Sequence, residues 1–523
     1  MKKIYISIIV AFTVVGTSCS PSLLDLNNPN ALVAENSWNT QKDVEAGLVG
    51  VYHTLYNCYW NSFNAFQLSG QSDEFYSLSP DADLASYVNL KYTNYDQRWN
   101  INSWTYLYQS VFRSNQVIIY ADRVEWESEV KKNQVVAQAR AMRGMSYYNL
   151  AMLYKKAPIV DWISAPGDQP KEASFEELVD FIEKDFLFAA ENLPAKWPEV
   201  GRFTKWFAYD FLGKLYMNSG QWEKAKAAFE KVIESKQFRL APNYSDNFRH
   251  ETNNNCESIF EIQNSDRNDT WGGFWGIAND GAVCSFTSRR DEFFAPSFGG
   301  GFGDYSVYEW LVDMYKDELD RDGGYDIRLR DNIMYPEMFD DFPGQVLYQK
   351  YTSWDPSIHG NQCRVRKYCV DYYSTGAVAL GNNPIDIRIL RYGETLLSYA
   401  ECLVMVGGAS AIPEAASYVN QIRERVNLYP LDESVHKDCL NSVDAFMKRL
   451  RIERERKSVS SMTDSLTFAD GVSVAMTNIL KKSKLVRLSI RTISQRVRSG
   501  FRFRDPMWIT TLTSPKMKDI RIV

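Results

Sequence analysis

Apolar residues recur at three- and four-residue spacing in three long stretches, and that rhythm predicts amphipathic helices. Residues 136–154 carry it as Ala139, Met142, Met145, Tyr148 and Leu150-Ala151. Phe175–Asn192 repeats it with Leu178, Phe181, Ile182, Phe186 and Ala189-Ala190, and Leu193-Pro194 follows as a stop. In the third stretch Leu212-Gly213, Tyr216, Gly220, Trp222, Ala225, Phe229 and Val232 fall on the spacing of a tetratricopeptide repeat, with Gln237 where proline is usual. In such a repeat the small residue lets two helices approach and the large ones fill the space between them. A repeat packs against neighbours, so the flanking helical pairs read as degenerate copies. A helical region is also expected from about 31 to 120. Between about 238 and 384 the rhythm breaks, in runs such as Thr270-Trp271-Gly272-Gly273-Phe274-Trp275 and Phe298-Gly299-Gly300-Gly301-Phe302-Gly303. Helix returns at 391–406 and 414–426. The predicted fold class is mainly α: a tetratricopeptide-repeat-like scaffold over about 40–237, a large loop-rich insertion over 238–384, and C-terminal helices over about 385–456. Long loops on a rigid scaffold are where binding residues concentrate.

The N-terminus follows a different pattern. Met1-Lys2-Lys3 is a basic start, and residues 4–16 form an apolar run of 13, too short to span a bilayer but the length of a signal-peptide core. Gly16-Thr17-Ser18 then leads into Cys19. This is similar to the bacterial lipobox, although the first of those positions usually holds leucine. Residues 1–18 are therefore expected to be removed and Cys19 to carry acyl chains, which together anchor a protein to lipid stably. No later segment reads as apolar enough to cross a membrane. The other seven cysteines, at 58, 256, 284, 363, 369, 402 and 439, show no disulfide or metal spacing and read as buried small hydrophobes.

Charge and chemistry narrow the function. The 523 residues carry a formal charge of −6, which argues against nucleic acid, since phosphate contacts need a basic face. His53, His250, His359 and His436 lie far apart and share no ligand spacing, and nothing resembles a nucleophilic triad. Gly299 to Asp304 lacks the Lys-Ser/Thr of a phosphate-binding loop. No catalytic residue, metal or cofactor is expected, and the chain reads as a binding protein and not an enzyme. Asp317, Asp320, Asp322 and Asp326 around Gly323-Gly324 could hold calcium, but no Glu closes the ligand register and a solvated turn is favoured. Aromatics make up 14% of the chain, and the loop aromatics are the binding candidates. Sugar rings stack their apolar faces on such residues while polar neighbours meet the hydroxyls. Trp99 with Asn100 and Asn102 lies just before a helix. Trp271, Phe274 and Trp275 sit among Arg267, Asn268 and Asp269, and Trp354 neighbours Tyr351 and Asp355. Each tryptophan has the alternative role of pinning a long loop to the scaffold.

Several phrases, in order, resemble the SusD/RagB family of outer-membrane nutrient-binding lipoproteins. They are Ala139-Arg140-Ala141-Met142-Arg143 through Tyr147-Tyr148 to Tyr154 and Pro158, Asp185-Phe186 through Ala190 to Leu193-Pro194, and Tyr308-Glu309-Trp310-Leu311-Val312-Asp313-Met314-Tyr315. Next come Leu390-Arg391-Tyr392 with Tyr399-Ala400-Glu401, Val419-Asn420-Gln421-Ile422-Arg423-Glu424-Arg425, and Ile452-Glu453-Arg454-Glu455-Arg456. The resemblance covers roughly residues 19–456. It implies a surface-exposed lipoprotein of a bacterial outer membrane that captures oligosaccharides and passes them to a SusC-like TonB-dependent transporter. Peptide capture, as in the RagB branch, and a helical-repeat scaffold that binds no nutrient are the alternatives.

The resemblance stops at Arg456. Residues 457–523 hold thirteen Lys or Arg and four Asp, with no Glu and no Tyr; their net charge is +9, leaving −15 on residues 1–456. Read one base out of frame, residues 458–472 can encode CFEYDRFTDLRRWG, close to the family phrase that follows the Glu-Arg repeats. Residues 501–520 can likewise encode the family's typical ending. Met507-Trp508 and Met517-Lys518 leave little codon choice, so the fit is constrained. The tail therefore reads as the product of a one-base deletion near Arg456 or Lys457. The segment it replaces is expected to pack on the scaffold, so the chain as it stands should be less stable.

Overall fold

The computed structural model describes residues 37–60, 74–89, 91, 98–264, 293–376 and 383–458. The leader, Cys19, Trp271, Phe274, Trp275 and the tail from residue 459 lie outside them. The N-terminal part holds α1 (Gln41–Trp60), β1 (Phe75–Tyr76), α2 (Ala82–Val88), α3 (Arg98–Ala121) and α4 (Glu129–Tyr154). The helical stretch expected to about residue 120 is thus broken by a strand, because β1 leaves the scaffold to pair with the later insertion. Ser128 caps α4, its side chain accepting from the Lys131 N–H. From Val135 to Tyr154 this helix is buried nearly all round, lying between α3 and α5. A short hairpin of β2 (Ala157–Pro158) and β3 (Glu172–Ala173) leads to α5 (Phe175–Asn192), whose bounds match the sequence reading. Ser174 and Glu177 close a reciprocal capping box at its start.

The tetratricopeptide spacing is realised by α6 (Lys205–Asn218) and α7 (Trp222–Glu234). A Cβ on Gly213 would sit 2.5 Å from Phe229 Cε1, so only glycine lets the two helices reach this distance. Gly220 turns the chain between them at φ +73°. Arg143 on α4 grips Asp185 on α5 with both prongs, at 2.8 and 2.7 Å, and also donates to Asn115 on α3. That bidentate pair is almost fully buried and ties three helices together.

In the insertion follow β4 (Ser258–Ile262), β5 (Ser306–Val307), α8 (Glu309–Tyr315), α9 (Ile327–Asn332), β6 (Ile333–Met334) and β7 (Cys363–Val365). Strands β1, β5, β7 and β6 form one antiparallel sheet in that order. Strand β8 (Ile387–Arg391) pairs with β4 and feeds α10 (Tyr392–Gly407), α11 (Ile412–Arg425) and α12 (Val443–Ser458). The stretch Tyr392–Arg425 is long and apolar enough by composition to cross a membrane, contrary to the sequence reading. It is two helices of 16 and 14 residues, broken at Gly408 with φ +61°, and each buries a face in the common core. Of the cysteines described, Cys58, Cys363, Cys369, Cys402 and Cys439 are buried and Cys256 half-buried, and none of them forms a disulfide with another.

Candidate functional site

Helices α1 and α3 run antiparallel: Thr54 meets Ser110, and Cys58 reaches the Tyr106 carbonyl. The end of α1 therefore lies beside the start of α3. Tyr56, near that end, donates to the Gln263 carbonyl at 2.5 Å, which brings in the segment after β4. Asn264 in turn donates its side-chain amide to the Ile385 carbonyl and its N–H to Asp386 Oδ1, both at 2.7 Å. The C-terminal end of α1, residues 263–264 and residues 385–386 thus lie near one another, toward the end of the helix pair at which α3 begins. Along the chain, the segments 61–73, 92–97, 265–292 and 377–382 adjoin these residues or the start of α3. Trp271, Phe274 and Trp275 belong to the third of these. Trp99 and Asn100 lie in the first turn of α3 and not before it, because the helix starts at Arg98. Their side chains, like residues 265–292, are outside the described residues.

Trp354 is described, and it behaves as a pin. Its indole N–H donates to the Gly360 carbonyl at 2.9 Å, and its half-buried ring packs 4.9 Å from His359 and 6.1 Å from Phe298. Tyr351 closes the same cluster by donating to the Phe298 carbonyl. Phe298 also lies near the root of segment 377–382, since a Cβ on Gly376 would lie 3.3 Å from the Gly299 carbonyl. A pair that sequence reasoning missed is Tyr76 on β1 and Tyr308 just after β5, with rings 4.9 Å apart and tilted by 43°. Tyr308 is 38% exposed. Lone aromatics on two-residue strands carry no periodic signal, so only the sheet brings them together.

Among the described residues, two acidic clusters adjoin the loops, one buried and one with Asp317 at its exposed rim. At the root of residues 265–292, Glu261 and Asp386 are each 2% exposed. Burial and the Glu261 charge push Asp386 up to about 8, while Arg388 pairs with Glu261 at 3.1 Å. Asn254 and Asn264 occupy the remaining oxygens, so the pair holds a loop root and offers no open face for acid–base work. Below α12, Glu453 accepts from Arg423, Arg449 and Arg328. Asp317, Glu318 and His436 lie close enough together to hold a metal ion. Arg449 and Arg456 reach both carboxylates and Arg423 reaches Glu318, so guanidinium groups already occupy the oxygens a cation would need. The four aspartates weighed for calcium diverge. Asp317 faces Arg456, Asp326 holds Arg328, Asp320 caps the Asp322 and Gly324 N–H groups, and Asp322 accepts from Asn427.

Comparison with known proteins agrees with this architecture. The sequence profile described as "SusD family" matches residues 256–457, and one described as "Starch-binding associating with outer membrane" matches residues 22–217. A SusD-like protein of Bacteroides ovatus is 23% identical, the match covering 83% of this chain and 77% of that one. The crystal structure of a SusD superfamily protein from Bacteroides vulgatus superimposes with a TM-score of 0.71 at 20% identity, over 86% of this chain and 92% of that one. Surface glycan-binding protein A of Bacteroides thetaiotaomicron, solved in complex with laminarihexaose, gives 0.62 at 18% identity, over 82% and 90%.

Proposed function

This chain belongs to the SusD/RagB family, and we propose that it captures oligosaccharides at the bacterial surface without acting on them chemically. Acyl chains on Cys19 hold it to the outer membrane, and a SusC-like TonB-dependent transporter receives the sugar. The observation that carries this reading is the meeting of segment roots near the end of the helix pair at which α3 begins, with Trp99, Asn100, Trp271, Phe274 and Trp275 all on or beside those segments. Aromatic residues carried on segments rooted in a rigid helical frame suit a chain of pyranose rings. Trp354 contributes by fixing its own loop. Glycan binding by the protein that resembles this one in complex with laminarihexaose supports the same reading. Calorimetric titration with neutral β-glucan oligosaccharides tests it. Trp271→Ala and Trp275→Ala should each weaken binding about 5- to 150-fold, as expected for a lost aromatic stacking contact of about 1–3 kcal/mol. Binding of peptides in place of sugars, or affinities unchanged in both variants, would overturn it.

We also propose that a one-base deletion near Arg456 accounts for the basic tail. The end of the SusD family match at Lys457 supports this.

A further inference from the structure

The buried arginines Arg143, Arg328, Arg366, Arg388 and Arg425 each meet a carboxylate. Arg364 on β7 does not. Its Nη1 donates to the Gly303 carbonyl at 2.8 Å and to Ser306 Oγ at 2.9 Å, and Nη2 reaches Gln362 Oε1 at 3.4 Å. All three acceptors are neutral, and Nε finds no protein acceptor. Asp304, whose charge reaches Arg364, takes a hydrogen bond from Ser79 instead and makes no ion pair with it. Burial makes this positive charge costly to hold and lowers the Arg364 pKa. Among the described residues, then, a half-buried guanidinium waits without an anion.

The sheet decides what lies beside it. Tyr76 pairs with Ser306, and Ser306 pairs with Arg364, so all three share one sheet face. Tyr308, two residues beyond Ser306, falls on that face too and sets its ring against Tyr76. Two tilted aromatic rings beside a fork of cationic donors match a sugar that has an apolar ring face and an anionic edge. The −15 carried by residues 1–456 would repel a polyanion, so a single charge fits where a string of charges does not. We propose that Tyr76, Tyr308 and Arg364 form a subsite for one carboxylate-bearing sugar, a uronic acid residue, within an otherwise neutral glycan. This rests on the glycan-capture reading and specifies part of its ligand.

The test is calorimetry on the full chain with two gluco-oligosaccharides, one ending in glucuronate and the other in glucose. The glucuronate form should bind about tenfold more tightly, as one charge-assisted hydrogen bond from Nη2 allows. Arg364→Gln should erase that preference and bring the two affinities together, whatever it costs in stability through the lost bonds to Gly303 and Ser306. Arg364→Lys should restore part of the preference, and Tyr308→Ala should weaken both ligands. A merely structural role at the Gly303 turn would instead lower both affinities together and leave their ratio unchanged. Equal binding of the two sugars by the unaltered chain, or a preference that survives Arg364→Gln, overturns the subsite. If neutral binding still depends on Trp271, only this inference falls. If neither sugar binds, the capture reading itself falls.

Discussion

At the scale of single residues, two glycines and a set of carboxylates carry the sharpest consequences. Gly213→Ala forces a methyl to within 2.5 Å of the Phe229 ring, and overpacking of this kind costs about 1–3 kcal/mol. Gly50, inside α1, has nothing within 4 Å of an added Cβ, so Gly50→Ala should stabilise by about 0.5–1 kcal/mol. Urea unfolding of the two variants should therefore move in opposite directions. Titration adds a second prediction. Burial alone would raise Glu318 and Glu394, but His436, Arg449 and Arg456 around the first, and Lys457 and Arg454 around the second, outweigh it and hold each down to about 2. Their contribution is present above the unfolded value of 4.5 and disappears as pH falls towards 2. Asp210, pushed up to about 6 by burial, and Asp386, up to about 8, have the opposite sign. Their contribution is complete below the unfolded 3.8 and is lost as pH rises through 6 and 8. His436 is raised by Asp317 and Glu318 against its burial, and it weakens the fold in the same direction as pH rises. Melting temperature followed across pH should thus peak on the acid side of neutrality, between about pH 4.5 and 6. A flat profile from pH 5 to 9 would contradict these environments.

At the scale of elements, the family phrases turn out to be the two halves of buried ion pairs. Arg143 lies within the phrase on α4 and Asp185 opens the one on α5, and they meet across the helix interface. Arg423 on α11 and Glu453 on α12 do the same. Breaking one partner leaves its mate charged and dry, which costs about 3–5 kcal/mol, far more than an exposed pair is worth. Asp185→Asn should consequently destabilise by that order in urea titration. Glu199→Gln, which loosens only the surface pair with Arg202, should stay within about 0.5 kcal/mol. Equal effects would mean that the α3–α4–α5 junction does not depend on this pair.

At the scale of the whole molecule, α12 ends inside the core. Arg456 and Lys457 are fully buried, and their carbonyls accept from Tyr315, Tyr244 and Lys367. Whatever follows must leave from the interior of the protein, so the identity of the next segment bears on the entire body. A chain with the reading frame restored after Arg456 should melt about 5 °C or more higher than the present chain and bind less hydrophobic dye. Identical melting curves would remove the reason to regard the present tail as a loss.

The sequence by itself determined the helices, because 3.6-residue periodicity and capping residues act locally. Phe175–Asn192 was legible to the residue from its apolar stripe and the Leu193-Pro194 stop. The family was legible as well, since its phrases encode buried charges and close-packing glycines that few substitutions replace. The β1 break in the N-terminal helices was not legible, nor was the Tyr76–Tyr308 pair, nor the orphan guanidinium of Arg364. Strands of two residues have no period to read, and the partners that assemble this face lie far apart along the chain, as Tyr76 and Ser306 do. The apolar run from Tyr392 also needed the fold to decide between bilayer and core, because hydropathy records an aversion to water and not what replaces the water. Only the folded chain settles which aromatic stacks, which carboxylate finds its arginine, and which guanidinium meets neutral acceptors alone.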